Sequence, residues 1–429
     1  MAQQKVGNRW FVVVGAILVQ LCLGAIYAWS VFTPLLADAG WTKVQTQWVF
    51  AAGLACFAVS MVVAGRLLPR VGPRPLAWAG GLVLGAGYVG AGLTGGTGFL
   101  PTLLLIGVAG GCGIGLAYVV PIAVGMRWFP DRKGFITGLA GGGCGLGAAL
   151  GVKLAGAGGH RLDSVGLGPA LVIEGVAFAA LVLIGGIWLR FPPEGWLPAG
   201  WQPPGESDDP DTAGRGDYTT AEMLATPQYY LILLTFVFSA GAGLMSIGLM
   251  KLFPMQALMA GGMSEAGASA AAGTAMAVCF SLANGVGRIV WGVVSDRLGA
   301  RTSLVVMAAS QGVLVLLFQH MAGTPGLLYL GATLIGFNFG GNFALFPMIT
   351  AGTFGARNIG QLYGWVFLAY GMGGIAGPIM GGRLGDMGNF PLAFTICGVG
   401  CLFASGLIAT VRRPRPKRAV PLVRQKAIA

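Results

Sequence analysis

The sequence predicts an all-α membrane protein with twelve transmembrane helices, arranged as two pseudo-symmetric halves of six helices. Three observations lead to this prediction. Only 9% of the 429 residues are charged and 55% are hydrophobic, with a mean hydropathy of +0.77, whereas a soluble protein carries about 25% charged residues. Twelve apolar runs are long enough to cross a membrane as helices. Part of the first half of the chain also recurs in the second half.

The apolar runs are separated by short polar loops, with one exception. The candidate spans are residues 10–36, 47–68, 75–94, 101–125, 135–157, 169–189, 228–253, 266–294, 302–321, 326–351, 360–383 and 389–411. Unbroken apolar character favours helices over barrel strands, in which apolar and polar residues alternate. The exception is the proline-rich and acidic stretch 191–226. It has too little apolar surface to pack and is predicted to be a linker.

The linker divides the chain into a first half at residues 1–190 and a second half at residues 227–412, followed by a basic tail at 413–429. Lysine and arginine are concentrated at one set of loop ends, which includes the N-terminal segment, the linker and the tail. This bias predicts that both termini and the linker are cytoplasmic. We therefore expect a multi-pass membrane protein with this basic side in the cytoplasm. The same topology accounts for the net charge of +12 without nucleic-acid binding.

An internal repeat supports the division into halves. The segment Gly65–Arg74 matches Gly292–Arg301 at an offset of 227 positions, each between the second and third spans of its half. At an offset of 226, further residues coincide: Pro121 with Pro347, Gly134 with Gly360, Gly138 with Gly364 and Gly147 with Gly373. Two halves in the same orientation indicate a parallel duplication, which places a substrate site between them near the membrane midplane.

The repeated loop also carries charges that suggest a moving part. Asp296 and Arg297 in the second copy, with Arg70 in the first, are candidates for a charge clamp at helix ends. Such a clamp would break and re-form as the halves rock. The first copy has Pro69 at the position of the acid, so its clamp is weakened or absent.

Arg288 is the most informative residue of the chain, because it lies in the predicted eighth span with no acidic neighbour. A charged side chain at membrane depth costs between ~3 and ~10 kcal/mol and usually marks a substrate or ion pathway. An anionic cargo is one explanation, and an ion pair with an acid in another span is the alternative. Glu174 is the acid placed well within a span; it is either a proton-coupling site or a partner of Lys153 or Lys251. Asn284 lies one helical turn before Arg288, on the same helix face.

Several motifs resemble a known family of carriers. The signature Gly-x-x-x-Asp-Arg-x-Gly-x-Arg is present at Gly292–Arg301, and the family's local motifs are Asn8-Arg-Trp10, Tyr27-Ala-Trp29, Arg127-Trp-Phe-Pro-Asp-Arg-Lys-Gly134 and Ala344-Leu-Phe-Pro347. Over nearly its whole length the chain resembles the major facilitator superfamily, and within it the oxalate/formate antiporter family, which is related to the monocarboxylate transporters. The resemblance implies secondary transport by alternating access between the two halves.

The resemblance also assigns residues at the centre. The family's oxalate exchanger places an arginine in span eight and a lysine in span eleven. Arg288 matches the arginine, whereas Tyr370 stands where the lysine is. Tyr118 matches a tyrosine of the oxalate pocket, and Tyr27 corresponds to one in span one. The resemblance also implies that Asn284 stands where animal monocarboxylate transporters have an aspartate, and that this aspartate takes part in proton coupling.

The single cation favours a monocarboxylate over a dicarboxylate, because a dianion would leave one buried charge unpaired. One carboxylate can form a bidentate pair with one guanidinium. The expected substrate site therefore consists of Arg288, Asn284, Tyr118, Tyr370, Tyr27, Phe339, Phe343 and Phe367. The phenylalanines form an apolar wall for a short aliphatic tail. Asn338 and Asn342 either line the cavity or join helices.

The sequence thus predicts a transporter of lactate- or pyruvate-like anions, either coupled to protons or exchanging one anion for another. An oxalate:formate-type exchanger and a non-transporting membrane sensor are the alternatives. No enzymatic activity, cofactor, metal or nucleic-acid partner is expected. The expected partners are a small organic anion, a proton in the case of symport, and membrane lipid, with a monomer as the functional unit.

Overall fold

The structure, a computed structural model, describes residues 8–155, 165–193, 195–198, 200–201 and 217–414. The acidic cluster of the linker, nearly all of the basic tail and the side chain of Lys153 lie outside this description. Within it, all regular secondary structure is helical.

Twelve helical spans follow one another in the described part of the chain, as the sequence predicts. They are span one, Trp10–Leu23 continued by Gly24–Val31 and Thr33–Asp38; span two, Lys43–Val71; span three, Pro73–Leu93; span four, Phe99–Thr102 continued by Leu103–Gly110 and Gly111–Trp128; span five, Lys133–Ala155; span six, Leu167–Gly186; span seven, Pro227–Leu249; span eight, Glu265–Thr274 continued by Ala275–Phe280 and Ser281–Leu298; span nine, Ala300–Met321; span ten, Pro325–Phe354; span eleven, Ile359–Asp386; and span twelve, Phe390–Thr410. Two short helices, Thr220–Leu224 and Leu252–Ala260, flank span seven.

Ten of these spans are long and apolar enough to cross a membrane. In span one the apolar α-helix Trp10–Leu23 is shorter, and span five ends where the described residues stop at Ala155. The predicted all-helical membrane fold is therefore confirmed.

Three spans are not uniform α-helices, although the sequence predicts each as a single helix. Span one tightens to a 3₁₀-helix over Gly24–Val31, and spans four and eight widen to π-helices over Leu103–Gly110 and Ala275–Phe280. In span eight the Ser281 hydroxyl donates to the Met276 carbonyl, five residues earlier, at 3.0 Å. π-Helical turns of this kind are often found at functional sites.

Glycine and proline set the turns between spans two and three and between spans eight and nine. Gly72 has φ +87° and Gly299 has φ +81°, a backbone conformation that residues with a side chain rarely adopt. Pro73 then occupies the first turn of span three, where its missing N–H leaves no bond unmade. The two glycines are equivalent in the internal repeat, so both copies of the loop turn in the same way.

Two seams join the halves of the molecule: spans five and eight form one (the 5/8 seam), and spans two and eleven the other (the 2/11 seam). Each depends on glycines that let backbones touch. A Cβ atom at Gly292 would collide with the carbonyl oxygen of Gly134, and one at Gly65 with that of Gly360. Because both pairs are related by the repeat, the two seams share one geometry.

One end of the bundle collects cationic side chains, and we call it the basic face. Arg9 pairs with Asp131 through bonds of 2.9 and 3.2 Å, and Arg127 donates to the Arg357 carbonyl at 2.8 Å. The end of the linker docks here too, since the Tyr218 amide donates to the Phe354 carbonyl at 2.9 Å. A cavity of about 840 Å³ opens on this face between spans two, four and eleven and the linker, and its walls do not include Arg288.

Candidate anion-binding site

Arg288 lies at the centre of the fold and is 0% exposed. Its Nε donates to Oδ1 of Asn284 at 3.1 Å, and Nη1 donates to the Gly141 carbonyl at 2.8 Å. The guanidinium carbon lies 3.9 Å from the ring centroid of Phe343, in cation–π contact. The third nitrogen, Nη2, is buried and finds no hydrogen-bond partner among the described residues. Arg288 is thus held firmly while one donor group remains available.

The ion-pair alternative for Arg288 is not realised in the part of the chain that the structure describes. The salt bridges there join Asp131 to Arg9 and to Arg132, both at the basic face. The side chains that interact electrostatically with Arg288 are those of Cys144, Tyr118, Tyr27 and Tyr370, with no carboxylate among them. The cation is therefore surrounded by neutral side chains.

Span five leaves room for Arg288 because glycines face it. A Cβ atom at Gly138 would collide with the Arg288 carbonyl oxygen, and one at Gly141 would lie 3.5 Å from its side-chain Cδ. The bond from Arg288 to the Gly141 carbonyl depends on this close approach. The 5/8 seam therefore places the cation between the two halves.

Two tyrosines bridge the halves beside this cation. The hydroxyl groups of Tyr27 in span one and Tyr370 in span eleven are 2.7 Å apart, within hydrogen-bond distance. The Tyr370 ring stacks on Phe367 at 4.9 Å and lies 5.4 Å from Phe343. The pair therefore joins the two halves beside Arg288, with phenylalanines packed against it.

Tyr118 lies on another side and is 1% exposed. Its ring packs against Phe57 at 5.1 Å and Phe367 at 5.5 Å. Its hydroxyl lies close to the Arg288 side chain but forms no hydrogen bond of good distance and angle with any described residue. A second buried donor thus faces the same region as Nη2.

Phe339, predicted in the apolar wall, occupies a layer behind it. Its ring lies 5.5 Å from Phe343 and 5.8 Å from Phe280, and a Cβ atom at Gly243 would collide with it. It therefore supports Phe343 between spans seven and eight.

The residues predicted for a charge clamp lie away from Arg288, at the basic face. Both carboxylate oxygens of Asp296 accept bonds from backbone amides at the start of span five, from Gly134 at 2.7 Å and Phe135 at 2.8 Å. A carboxylate at a helix N-terminus is favoured by the helix dipole. Arg70 and Arg297 are exposed. The contact across the 5/8 seam thus joins Asp296 to a helix end rather than to an arginine.

Glu174 is also separate from Arg288. It lies in span six, next to Gly175, whose backbone packs closely on that of Gly85 in span three. Its charge acts on Tyr88, also in span three, and it is not among the groups that act on Arg288.

Asn338 and Asn342 join helices. Asn342 accepts a bond from the Ser239 hydroxyl at 2.6 Å, while Asn338 accepts from the Trp291 indole at 3.2 Å and donates to Ser310 at 3.0 Å. Together they tie span ten to spans seven, eight and nine.

Sequence reasoning missed several residues that surround the site. They are Gln20, Phe57, Cys144 and Tyr363, which are all buried. The internal repeat could have identified two of them. Phe57 in the first half is equivalent to Asn284 in the second, and Cys144 is equivalent to Tyr370.

Comparisons with known proteins agree on the type of fold. The family model described as Major Facilitator Superfamily matches residues 10–264 and 231–428. The chain is 30% identical over 374 residues to the uncharacterized MFS-type transporter YhjX of Escherichia coli, covering 86% of each chain. It is 27% identical over 418 residues to the oxalate:formate antiporter of Oxalobacter formigenes, covering 96% of this chain and 94% of that one.

Solved structures show the same architecture. The crystal structure of the E. coli fucose:proton symporter FucP superposes with a TM-score of 0.64 at 17% identity, covering 93% of this chain and 98% of that one. At this level of identity the likeness concerns the fold alone.

Proposed function

Because this chain belongs to the Major Facilitator Superfamily, we propose that it is a secondary transporter of small monocarboxylates, bound at the centre by Arg288. The observation that carries the proposal is the free Nη2 of a fully buried arginine. A buried donor without a partner is costly, and more so when it is charged. A carboxylate placed there would remove that cost and neutralise the guanidinium.

The count of charges supports a monoanion. Among the described residues, the side chains that act electrostatically on Arg288 are neutral. By the family resemblance, Tyr370 occupies the position of the oxalate exchanger's second cation. A dicarboxylate in this space would leave one charge unpaired. Phe343 packs on the guanidinium, and Phe57 and Phe367 pack against each other nearby, so the surroundings are apolar, which suits a short aliphatic tail.

Each polar residue then has a role toward the substrate. The carboxylate accepts from Nη2 of Arg288 and from the Tyr118 hydroxyl, while Asn284 fixes the plane of the guanidinium through its bond to Nε. The hydroxyl pair of Tyr27 and Tyr370 opens and closes as the halves rock about the two seams.

Coupling does not run through a carboxylate beside Arg288 in this proposal, since Glu174 lies between spans three and six. A proton would enter together with the acid, or one anion would exchange for another. Exchange has a specific observation in its favour, because the chain is similar to the oxalate:formate antiporter along 96% of its length, at 27% identity. An oxalate:formate-type exchanger is therefore the second candidate.

Uptake of radiolabelled L-lactate into proteoliposomes tests these proposals, with and without an inward proton gradient and with oxalate as competitor. We expect uptake that the gradient accelerates, that Arg288→Lys abolishes and that oxalate leaves unchanged. Arg383→Lys, the same change at an exposed residue near the end of span eleven, is the matched control. Uptake that requires an internal anion and is strongly inhibited by oxalate would establish the exchanger and refute the one-cation argument. Lactate binding without uptake, whether driven by a proton gradient or by exchange with an internal anion, would point to the non-transporting sensor.

We further propose that the protein acts as a monomer in the bacterial cytoplasmic membrane, with the basic face and both termini in the cytoplasm. The concentration of arginine at this face supports the orientation. Labelling of single cysteines placed at Arg132 and Asp386, which lie at opposite ends of the bundle, tests it in intact cells.

A further inference from the structure

Gln20 is a fully buried polar side chain in span one, 0% exposed, in an otherwise apolar helix. Its Nε2 lies 3.5 Å from the backbone carbonyl of Tyr118, to which it donates. Because a carbonyl oxygen only accepts, this contact fixes which end of the amide faces span four. The other end, Oε1, is buried and has no partner among the described residues.

Gln20 and Arg288 flank the same segment of span five. Arg288 donates to the carbonyl of Gly141, and two residues later a Cβ atom at Gly143 would lie 3.1 Å from Cβ of Gln20. Two residues of an α-helix rise by ~3 Å and turn by ~200°, so the two side chains lie at nearly the same depth but against different faces of span five. Tyr118 links them, because its backbone holds Gln20 while its hydroxyl faces Arg288.

The groups left without partners around this region differ in what they require. Nη2 of Arg288 and the Tyr118 hydroxyl are donors, and a carboxylate satisfies both. Oε1 of Gln20 is an acceptor, and neither a carboxylate nor a keto group can donate to it. A hydroxyl group on the carbon next to the carboxylate can.

We propose that Gln20 is a specificity-determining residue that accepts a hydrogen bond from the substrate hydroxyl, so that the preferred cargo is a 2-hydroxy monocarboxylate. This inference rests on the proposed transport of monocarboxylates and narrows it. The carboxylate binds Arg288 and Tyr118, the hydroxyl donates to Gln20, and the 2-oxo acid and the unsubstituted acid each leave Oε1 unpartnered.

Competition between L-lactate and propionate tests the proposal, because the two acids differ only in the hydroxyl. In wild-type proteoliposomes we expect lactate to half-saturate uptake at a concentration about tenfold lower than propionate, which corresponds to ~1.4 kcal/mol. Gln20→Leu removes the acceptor and should abolish this advantage by weakening lactate, while propionate stays within about twofold of wild type. Pyruvate should behave like propionate in both proteins.

Gln311→Leu is the matched control, since Gln311 is also 0% exposed and both of its amide atoms lack a described partner, but it lies in span nine. It should retain the lactate preference. Equal use of lactate and propionate by the wild type would overturn the role of Gln20 and leave monocarboxylate transport standing. A Gln20→Leu variant that loses both acids equally would likewise overturn it in favour of a structural role. Uptake of neither acid by the wild type would overturn both proposals.

Discussion

The bond between Asp296 and the start of span five is the contact across the 5/8 seam that is most open to a quantitative test. Asp296→Asn keeps the shape of the side chain and one acceptor oxygen, but it removes the charge. Its new amide nitrogen then faces the N–H of Gly134 or Phe135, to which it cannot bond. The substitution should therefore favour the state in which the basic face is open.

The free-energy cost of Asp296→Asn is taken from values for interactions at the protein surface, because Asp296 is exposed. A carboxylate at a helix N-terminus contributes ~0.5–1 kcal/mol, and a hydrogen bond contributes ~1 kcal/mol net. Loss of the charge and of one bond amounts to ~2 kcal/mol, which shifts the equilibrium between closed and open states about 30-fold.

Amide hydrogen exchange in nanodiscs measures this shift, because the amides of Gly134 and Phe135 are those that Asp296 protects. We expect exchange about 30-fold faster in the variant at these amides, with a similar increase along the 5/8 seam. Asp386→Asn, at an exposed acid on the opposite end of the bundle, should leave exchange at the seam unchanged. Equal exchange in wild type and Asp296→Asn would refute the inference that this carboxylate holds the seam closed.

Three other substitutions have defined outcomes. Gly138→Ala places a methyl group against a backbone oxygen of span eight and should abolish lactate uptake, while Gly382→Ala, with open space around it, should not; uptake by the former would show that the seam need not close. Tyr370→Phe leaves the partly buried Tyr27 hydroxyl without its bond, at a cost of ~1 kcal/mol, so thermal unfolding should begin a few degrees lower, and an unchanged melting temperature would contradict this. Phe343→Leu removes the ring beneath the guanidinium and should raise the half-saturating lactate concentration about tenfold, from a contact of ~1–2 kcal/mol; unaltered saturation would exclude the contact from binding.

The fold was predictable because the membrane imposes one rule on every span. Each must be apolar for about 20 residues and must satisfy its own backbone hydrogen bonds. Hydropathy and the repeat therefore identified twelve helices. The tightening at Gly24–Val31 and the widening at Leu103–Gly110 and Ala275–Phe280 have no signature in hydropathy, because they arise from how neighbouring spans pack.

The candidate site was predictable where a residue contrasts with its surroundings. Arg288 and Asn284 stand out as polar residues in an apolar span, and the structure joins them by a hydrogen bond. Phe57 and Cys144 do not stand out, since the chain holds 23 phenylalanines and seven cysteines. Their places depend on how spans two and five pack against the other half, and their roles toward substrate stay predictions.

The shared geometry of the two seams has a consequence for the valence of the cargo. Met61 occupies the repeat position of Arg288, and each has a glycine packed against its carbonyl oxygen, Gly364 and Gly138 respectively. Pro69 likewise replaces Asp296. The duplicated scaffold thus offers two places for a cation that are equivalent by the internal repeat, and position 288 is the one of the two that carries a cation. Under the proposed function, a cation at position 61 would give the carrier a second positive charge between the halves, in addition to the place in span eleven that Tyr370 occupies.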